Sequence, residues 1–140
     1  MNNVRKKDLL RVAIDSNVFI SALVYGGHPA ACIALIYERQ VLGVISDAII
    51  TEVLEVLARK FIFSAYQLEE VRQLIETNFV KVYPAKTLNI TRDPDDNRIL
   101  ETAVAGECDY IITGDLDLLD LKEYSSIHIL TPAQFLNLPS

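Results

Sequence analysis

Two short apolar runs, one near each end of the chain, are each followed by an aspartate. The first run, Val12-Ala13-Ile14, stops directly on Asp15, and the second, Tyr110-Ile111-Ile112, leads through Thr113 and Gly114 to Asp115. Brief runs rich in β-branched residues predict buried strands. Ligands of open parallel α/β sheets bind outside the carboxyl ends of the strands. The two aspartates therefore predict a binding site at one edge of such a sheet.

The remaining pattern along the chain alternates between strands and helices. Apolar runs predict strands at about 11–15, 41–45, 80–83, 110–113 and 127–130. Helical periodicity predicts helices from about 17 to a break at 25–29, then over 29–40, 47–60, 64–78, 94–105 and 132–137, with a turn at 115–121 and Ser46 as a helix cap. The strands are too apolar to expose one face, which indicates a parallel sheet covered on both sides.

Chain length and composition favour one packed domain. The chain has 140 residues, of which 51% are apolar, enough for a sizeable core. The longest apolar run, 30–37, is shorter than the roughly 18 residues of a membrane span. The basic N-terminus lacks the features of a signal peptide, and Cys32 and Cys108 form no CxxC pair. We therefore expect a soluble, cytoplasmic protein.

The net charge of −6 narrows the function classes. Proteins that bind nucleic acid by neutralising phosphates are usually basic, which argues against a DNA-reading module. The acidity does not argue against an enzyme whose bound divalent cations supply positive charge locally.

For Asp15 and Glu52 an ordinary structural role is the alternative to a role in a site. Asp15 could simply cap the helix that follows it. Glu55 has Arg59 four residues later as a surface partner, whereas Glu52 has Val56 in that position and no local partner.

Further acids cluster at the predicted starts of two other segments. Asp93, Asp95 and Asp96 crowd the first turn of a helix, where capping and the helix dipole explain two of them but not a third. Asp115 and Asp117 follow a strand end, where either alone would be an ordinary turn residue.

Convergence of Asp15, Glu52, Asp96 and Asp115 at one edge would be costly without compensation. Two like charges about 4 Å apart repel by about 4 kcal/mol at an effective dielectric near 20. A domain is stable by only about 5–15 kcal/mol. Such a cluster is therefore expected to bind hard cations or to have shifted pKa values, and all-oxygen ligands favour Mg²⁺ or Mn²⁺.

Other chemistries have little support in the sequence. His28 follows a glycine pair in a predicted loop and His128 lies in a predicted strand, so both are interpreted as structural. No GxSxG, Walker A or GxGxxG sequence is present.

The order and spacing of these motifs resemble the PIN-domain proteins, specifically the VapC-related toxins of toxin–antitoxin systems. The resemblance runs from Arg11 to about Leu136. It is carried by four elements: Val12-Ala13-Ile14-Asp15-Ser16-Asn17-Val18, Glu52 in a central helix, Asp93-Pro94-Asp95-Asp96-Asn97 with Ala103 behind it, and Thr113-Gly114-Asp115-Leu116-Asp117-Leu118-Leu119.

The resemblance implies a fold and an activity. The fold is a Rossmann-like three-layer α/β/α sandwich with a central parallel sheet of four to five strands. The activity is that of a Mg²⁺- or Mn²⁺-dependent endoribonuclease with one or two ions, which acts on RNA, forms a homodimer and is neutralised by a cognate antitoxin. The chain would divide into a short extension (1–10), the PIN domain (11–137) and a tail (138–140).

The resemblance also implies roles for individual residues. The acidic tetrad falls on Asp15, Glu52, Asp96 and Asp115, and the metal ligands on Asp15, Asp96, Asp115 and Asp117. Auxiliary roles fall on Ser16, Asn17 and Thr113. Asp96 is preferred to Asp95 because it lies three residues before Ile99 and seven before Ala103. Arg92 and Arg98 flank the site and are candidate RNA phosphate contacts.

Two alternatives stay open at this point. One is a catalytically silent PIN-like module that acts through protein contacts. The other is a phosphatase of the haloacid-dehalogenase type, which would need an Asp two residues after the nucleophile, where this chain has Asn17.

Overall fold

The computed structural model describes residues 9–139; residues 1–8 of the predicted extension and residue 140 of the predicted tail lie outside the described part. The strands are β1 (Arg11–Ile14), β2 (Leu42–Ile45), β3 (Val80–Lys81), β4 (Tyr110–Ile112), β5 (Glu123–Tyr124) and β6 (Ile127–Leu130). The helices are α1 (Ser16–Val24), α2 (Gly27–Tyr37), α3 (Asp47–Lys60), α4 (Ala65–Asn78), α5 (Pro94–Ala105), α6 (Leu116–Leu121) and α7 (Pro132–Leu136).

The strands form one sheet in the order β3-β2-β1-β4-β6-β5. All pairs are parallel except β5 with β6, which is antiparallel. The five predicted strands are all present, and the prediction of a central parallel sheet flanked by helices is confirmed. The two-residue β5 was not predicted, because a strand of that length carries no usable periodicity.

The direction of the chain reverses at the centre of the sheet. From β1 it proceeds outward to β2 and β3, and it then returns to the other side of β1 as β4. The carboxyl ends of β1 and β4 are paired, with Ile14 opposite Ile112, and the Asp15 N–H donates to the Ile112 carbonyl at 3.0 Å. This reversal is the topological switch point at which doubly wound sheets bind their ligands.

Close packing fixes the helices around this centre. Helix α5 packs on β1, β2 and β4, and α3 packs between α1 and α4 while also touching α5. A Cβ on Gly43 would lie 2.6 Å from the Phe79 ring and 2.8 Å from Ile36 Cδ1, so only glycine fits there. Fully buried aliphatic side chains such as Ile14, Ile99 and Ile112 fill the interior on β1, α5 and β4.

Two local predictions differ from the structure, and a third is confirmed in position only. The predicted turn at 115–121 is wrong, because this segment forms α6. Ser46 is the cap residue of α3, as predicted, but its side chain makes no capping hydrogen bond; its hydroxyl lies 2.7 Å from the Thr102 hydroxyl instead. Helix α2 begins at Gly27 rather than 29, since Gly26 and Gly27 adopt φ values of 77° and 68° and make the bend themselves.

Within residues 9–139 no single helix is long and apolar enough to cross a membrane. Helices α1 and α2 pass that test only when taken together, and they meet at an angle of 102°.

Candidate active site

Six acidic side chains from four parts of the fold belong to the carboxyl edge of the sheet. They follow β1, lie on α3, or begin α5 and α6: Asp15, Glu52, Asp95, Asp96, Asp115 and Asp117. The structure therefore brings together all four residues of the predicted tetrad, together with Asp117 and with Asp95. The local patterns that make strands end and helices begin deliver these acids to a common edge.

The tightest group within this set is formed by Asp96, Asp115 and Asp117. One carboxylate oxygen from each lies within 4.8 Å of the others. Asp96 is only 5% exposed, and its Oδ2 is buried with no hydrogen-bond partner within the described chain. Burying an unpartnered polar atom is costly. An all-oxygen donor set with an unpartnered buried carboxylate oxygen fits a hard divalent cation such as Mg²⁺ or Mn²⁺.

Asp15 lies beside this group and is held by the neighbouring strand. It is 5% exposed, and its Oδ2 accepts a hydrogen bond of 2.7 Å from the Thr113 hydroxyl. Its side chain makes no capping hydrogen bond, so helix capping does not explain this aspartate. Burial raises the pKa of Asp15, the Thr113 hydrogen bond opposes the shift, and the negative charges of Asp115 and Asp95 add to it.

Glu52 enters the site from α3 and is half-buried. Its Oε1 accepts a hydrogen bond of 2.7 Å from the Ser16 hydroxyl. Burial raises the pKa of Glu52 to about 7, the hydrogen bond from Ser16 opposes the shift, and the nearby carboxyl group of Asp95 adds to it. Glu52 and Asp95 therefore repel each other least when one of them is protonated.

Asp96 lies close to Asp115 in the same way. Burial, then the nearby carboxyl group of Asp115 and the charges of Asp93 and Asp15, raise the pKa of Asp96 to about 7. Asp95 and Asp96 are consecutive residues, yet they serve different partners. Both belong to the site, and it is Asp96 that contributes to the three-carboxylate group.

The auxiliary residues predicted from sequence differ in what they contact. Thr113 bonds Asp15 and also accepts the Asp115 N–H at 3.0 Å, so it ties two acids of the site together. Ser16 bonds Glu52. Asn17 is exposed on α1, and its side chain makes no hydrogen bond to the described residues.

The two arginines proposed as phosphate contacts also differ. Arg92 has a side chain that is 92% exposed, with its Nη2 3.8 Å from Asp117 Oδ2. Arg98 donates to both carboxylate oxygens of Glu101, at 2.8 and 2.7 Å, and to the Leu88 carbonyl. The guanidinium of Arg98 is thus engaged by the protein itself, which leaves Arg92 as the better placed of the two.

A cavity of about 420 Å³ opens between α3 and α5 beside Glu52. Its walls include Glu55, Arg59, Asp95 and Arg98. The surface pair expected between Glu55 and Arg59 is absent from the ion pairs among the described residues. The cavity gives the acidic site a polar extension between the two helices.

Sequence reasoning overlooked two buried polar residues on α5, Asn97 and Glu101. They are 3% and 8% exposed. Asn97 and Glu101 lie four residues apart and so share one face of α5, but nothing in the sequence indicated their partners. The two histidines are exposed, as expected of residues outside the site, and His128 packs against the Tyr110 ring.

The fold and the acidic edge define the class: an α/β/α protein with a mostly parallel sheet and a cluster of carboxylates at its switch point. A family model described as "PIN domain" matches residues 11–117. The chain belongs to the PIN-domain family, as the motifs indicated.

Individual relatives extend this result. An uncharacterised protein of Methanocaldococcus jannaschii, MJ1680, is 31% identical over 138 residues, which cover 91% of this chain and 88% of that protein. A chain of VapBC2 from Rickettsia felis, solved bound to a DNA fragment from its promoter, superposes with a TM-score of 0.61 at 11% identity. The superposition covers 86% of this chain and 97% of the VapBC2 chain. A chain of FitAcB from Neisseria gonorrhoeae gives 0.51 at 13% identity, with 87% and 98% covered.

Proposed function

We propose that this PIN-domain protein is a metal-dependent endoribonuclease and the toxin of a toxin–antitoxin pair. The observation that carries the proposal is the Asp96, Asp115 and Asp117 group, with its unpartnered Asp96 Oδ2, at the switch point of a PIN fold. Without a cation, six acidic side chains placed together would repel one another and destabilise the fold. A bound divalent cation would offset this repulsion and provide a centre for hydrolysis.

The residues that would hold Mg²⁺ or Mn²⁺, as one or two ions, are Asp15, Asp96, Asp115 and Asp117. When bound, the cation supplies Lewis-acid chemistry for phosphodiester hydrolysis. Thr113 keeps the Asp15 carboxylate oriented and shares its hydroxyl with the Asp115 N–H. Outer partners of this kind fix the direction of metal-binding carboxylates.

Glu52 is the candidate for proton transfer. A general base works best when its pKa lies near the working pH, and that of Glu52 is about 7. The Ser16 hydroxyl fixes one oxygen of Glu52, and the nearby carboxyl group of Asp95 helps to raise the pKa of Glu52. Glu52 can therefore take a proton from an attacking water at neutral pH.

Arg92 is proposed to contact an RNA phosphate. Its guanidinium is exposed and lies 3.8 Å from Asp117, at the edge of the three-carboxylate group. In a protein of net charge −6, an exposed cation at this position offsets repulsion between the phosphates and the acids.

The wider assignment rests on the motif resemblance to VapC-related toxins and on the fold shared with VapBC2 and FitAcB chains. We propose on this basis that the PIN domain spans 11–137, that the protein is cytoplasmic and dimeric, and that a cognate antitoxin binds it.

The decisive experiment incubates the purified protein with Mn²⁺ and an end-labelled single-stranded RNA. The wild-type protein should cleave, EDTA should stop cleavage, and Asp15→Asn should abolish it while the control Asp120→Asn cleaves normally. Asp120 lies on α6 next to the site but outside the set of six acids. No cleavage by the wild-type protein, combined with Mn²⁺ binding that Asp15→Asn leaves unchanged, overturns the proposal.

The two alternatives have distinct outcomes in the same series. Absence of calorimetric Mn²⁺ binding by the wild-type protein identifies a silent module. Hydrolysis of a small phosphate ester through a covalent aspartyl intermediate identifies a phosphatase, which the Asn17 side chain makes a poor fit.

A further inference from the structure

A segment without helix or strand, which we call the strap (residues 88–93), lies along α5 and ends at its first turn. Two buried side chains of α5 hold its backbone. Glu101 Oε2 accepts the Leu88 N–H at 2.7 Å. Asn97 Oδ1 accepts the Ile90 and Thr91 N–H groups, each at 2.9 Å, and Asn97 Nδ2 donates to the Thr91 carbonyl at 3.1 Å.

Asn97 accounts for most of this attachment. A primary amide offers two acceptor sites and two donor hydrogens, and Asn97 uses three of the four on the strap backbone. At 3% exposure it cannot exchange these bonds for water. The strap is therefore fixed at Ile90 and Thr91 by a single side chain next to Asp96.

The strap presents Arg92 immediately after these fixed residues. The Thr91 hydroxyl bonds the Asp93 carbonyl at 3.0 Å, and the Asp93 side chain caps α5 through the Asp95 N–H at 2.9 Å. Arg92 is thus confined between two anchored neighbours while its own side chain is 92% exposed near Asp117. An exposed ion pair of this kind adds little stability. Its position at the acidic group points to a role toward substrate.

We propose that Asn97 is a substrate-positioning residue, which holds the strap so that Arg92 faces the RNA backbone. This inference rests on the proposed function and names a residue that acts through another. In this proposal Asn97 acts indirectly, because its amide is used in hydrogen bonds to the strap backbone.

The test compares Asn97→Ala, Arg92→Ala and the double variant in cleavage of a single-stranded RNA with Mn²⁺. A charge-assisted contact to a phosphate corresponds to about a tenfold effect, so Arg92→Ala should raise KM about tenfold with kcat little changed. Asn97→Ala should raise KM by a similar factor. The double variant should resemble either single one, since both remove the same contact.

Two further measurements separate positioning from general damage. Hydrogen exchange at the Ile90 and Thr91 amides should speed up in Asn97→Ala, and calorimetric Mn²⁺ affinity should stay within about twofold of wild type. The matched control is Asn78→Ala, because the Asn78 amide also bonds a backbone carbonyl, that of Leu74 at 2.8 Å, on α4. It should leave KM unchanged.

If Asn97→Ala does not fold, Asn97→Asp replaces it, since it keeps the acceptors for Ile90 and Thr91 and loses the donor to the Thr91 carbonyl. Asn97→Asp also adds a negative charge that repels RNA. The double variant with Arg92→Ala distinguishes the two causes, because an effect of repulsion on KM adds to that of Arg92→Ala, whereas an effect of lost positioning does not.

The positioning role is overturned if the factors by which the Asn97 and Arg92 variants raise KM multiply in the double variant. It is also overturned if an Asn97 variant lowers kcat at unchanged KM. A wild-type protein that cleaves no RNA overturns the proposed function instead, so the two failures are distinct.

Discussion

Thr113 donates a hydrogen bond of 2.7 Å to Asp15 across neighbouring strands, although the two residues are 98 positions apart in the sequence. The bond is buried, and it opposes the rise in pKa that burial imposes on Asp15. It therefore favours the charged form of Asp15, which is the form that binds a cation.

Replacing Thr113 tests this relationship. Thr113→Val removes the hydroxyl at nearly constant volume and leaves Asp15 buried without its donor. We expect Mn²⁺ affinity to fall about tenfold, at the lower end for outer partners of metal ligands. Thr113→Ser keeps the hydroxyl and should bind nearly as wild type in the same calorimetric titration. Equal Mn²⁺ affinities of Thr113→Val and Thr113→Ser would show that the Thr113 hydroxyl does not contribute to metal binding.

Asp96→Asn should change metal binding and stability in opposite directions. Asp96 is a proposed cation ligand, so loss of its carboxylate should weaken Mn²⁺ binding by at least the roughly 100-fold that loss of an outer partner can cost. Without metal, the same change relieves repulsion with Asp115, so the melting temperature at about pH 8 should rise. Asp120→Asn, on the same edge of the fold, should alter neither quantity. A lower melting temperature for metal-free Asp96→Asn would contradict the repulsion.

The pH dependence of metal-free stability follows from the two raised pKa values. Glu52 and Asp96 rise to about 7 from 4.5 and 3.8, so the folded state holds more protons than the unfolded state between these values. Their contribution to stability is complete below the unfolded pKa and is lost as the pH rises through about 7. In EDTA, the melting temperature should therefore be lower at about pH 8 than at about pH 5.

Two comparisons give this pH prediction its control. The double variant Glu52→Gln and Asp96→Asn should flatten the change, because neither position then titrates. Saturating Mn²⁺ should reverse it, since the cation binds the deprotonated carboxylates and stabilises the folded state more at higher pH. A melting temperature of the metal-free wild-type protein that rises from about pH 5 to about pH 8 would contradict the raised pKa values of Glu52 and Asp96.

The cysteines provide a test of the core. Burial raises the pKa of the Cys32 thiol to about 11 and that of Cys108 to about 12. The thiolate is the reactive form, so both should resist a thiol reagent at neutral pH until the protein unfolds. Titration with Ellman's reagent should give almost no fast reaction in buffer and two thiols in guanidinium chloride. A fast-reacting thiol in the native protein would show that α2 or the start of β4 is packed differently.

Gly43 tests the packing between sheet and helices. Gly43→Ala places a Cβ 2.6 Å from the Phe79 ring and should cost about 1–3 kcal/mol of unfolding free energy, as overpacked cores do. Gly114→Ala meets no atom within 4 Å and serves as the matched control. Urea denaturation of the two variants measures the difference, and equal midpoints would contradict the close contact.

The sequence predicts those parts of the site that depend only on where strands end and helices begin. Asp15 and Asp115 follow strand ends, and Asp96 lies in the first turn of a helix, so their placement needs only the element boundaries. Asp95 could not be assigned, because its contact with Glu52 depends on how α3 and α5 approach each other. The same holds for Asn97, whose partners lie in a segment without periodicity.

The differences between the predicted and the observed helices and caps also have physical causes. The alternation of Leu and Asp at 116–121 has too few residues to show a helical period, so α6 was predicted as a turn. Ser46 was predicted as a cap on residue type and position, and only the tertiary fold supplies the Thr102 hydroxyl that competes for it. Short elements and polar side chains with distant partners are where tertiary contacts override propensity.

The acidic site depends on the placement of β4 beside β1. Asp115 follows Asp15 by 100 residues in the sequence, and the two meet where the carboxyl ends of β1 and β4 are paired. Until β4 takes its place between β1 and β6, the acids have no common pocket. Under the proposed function, ribonuclease activity therefore depends on this one step of sheet assembly.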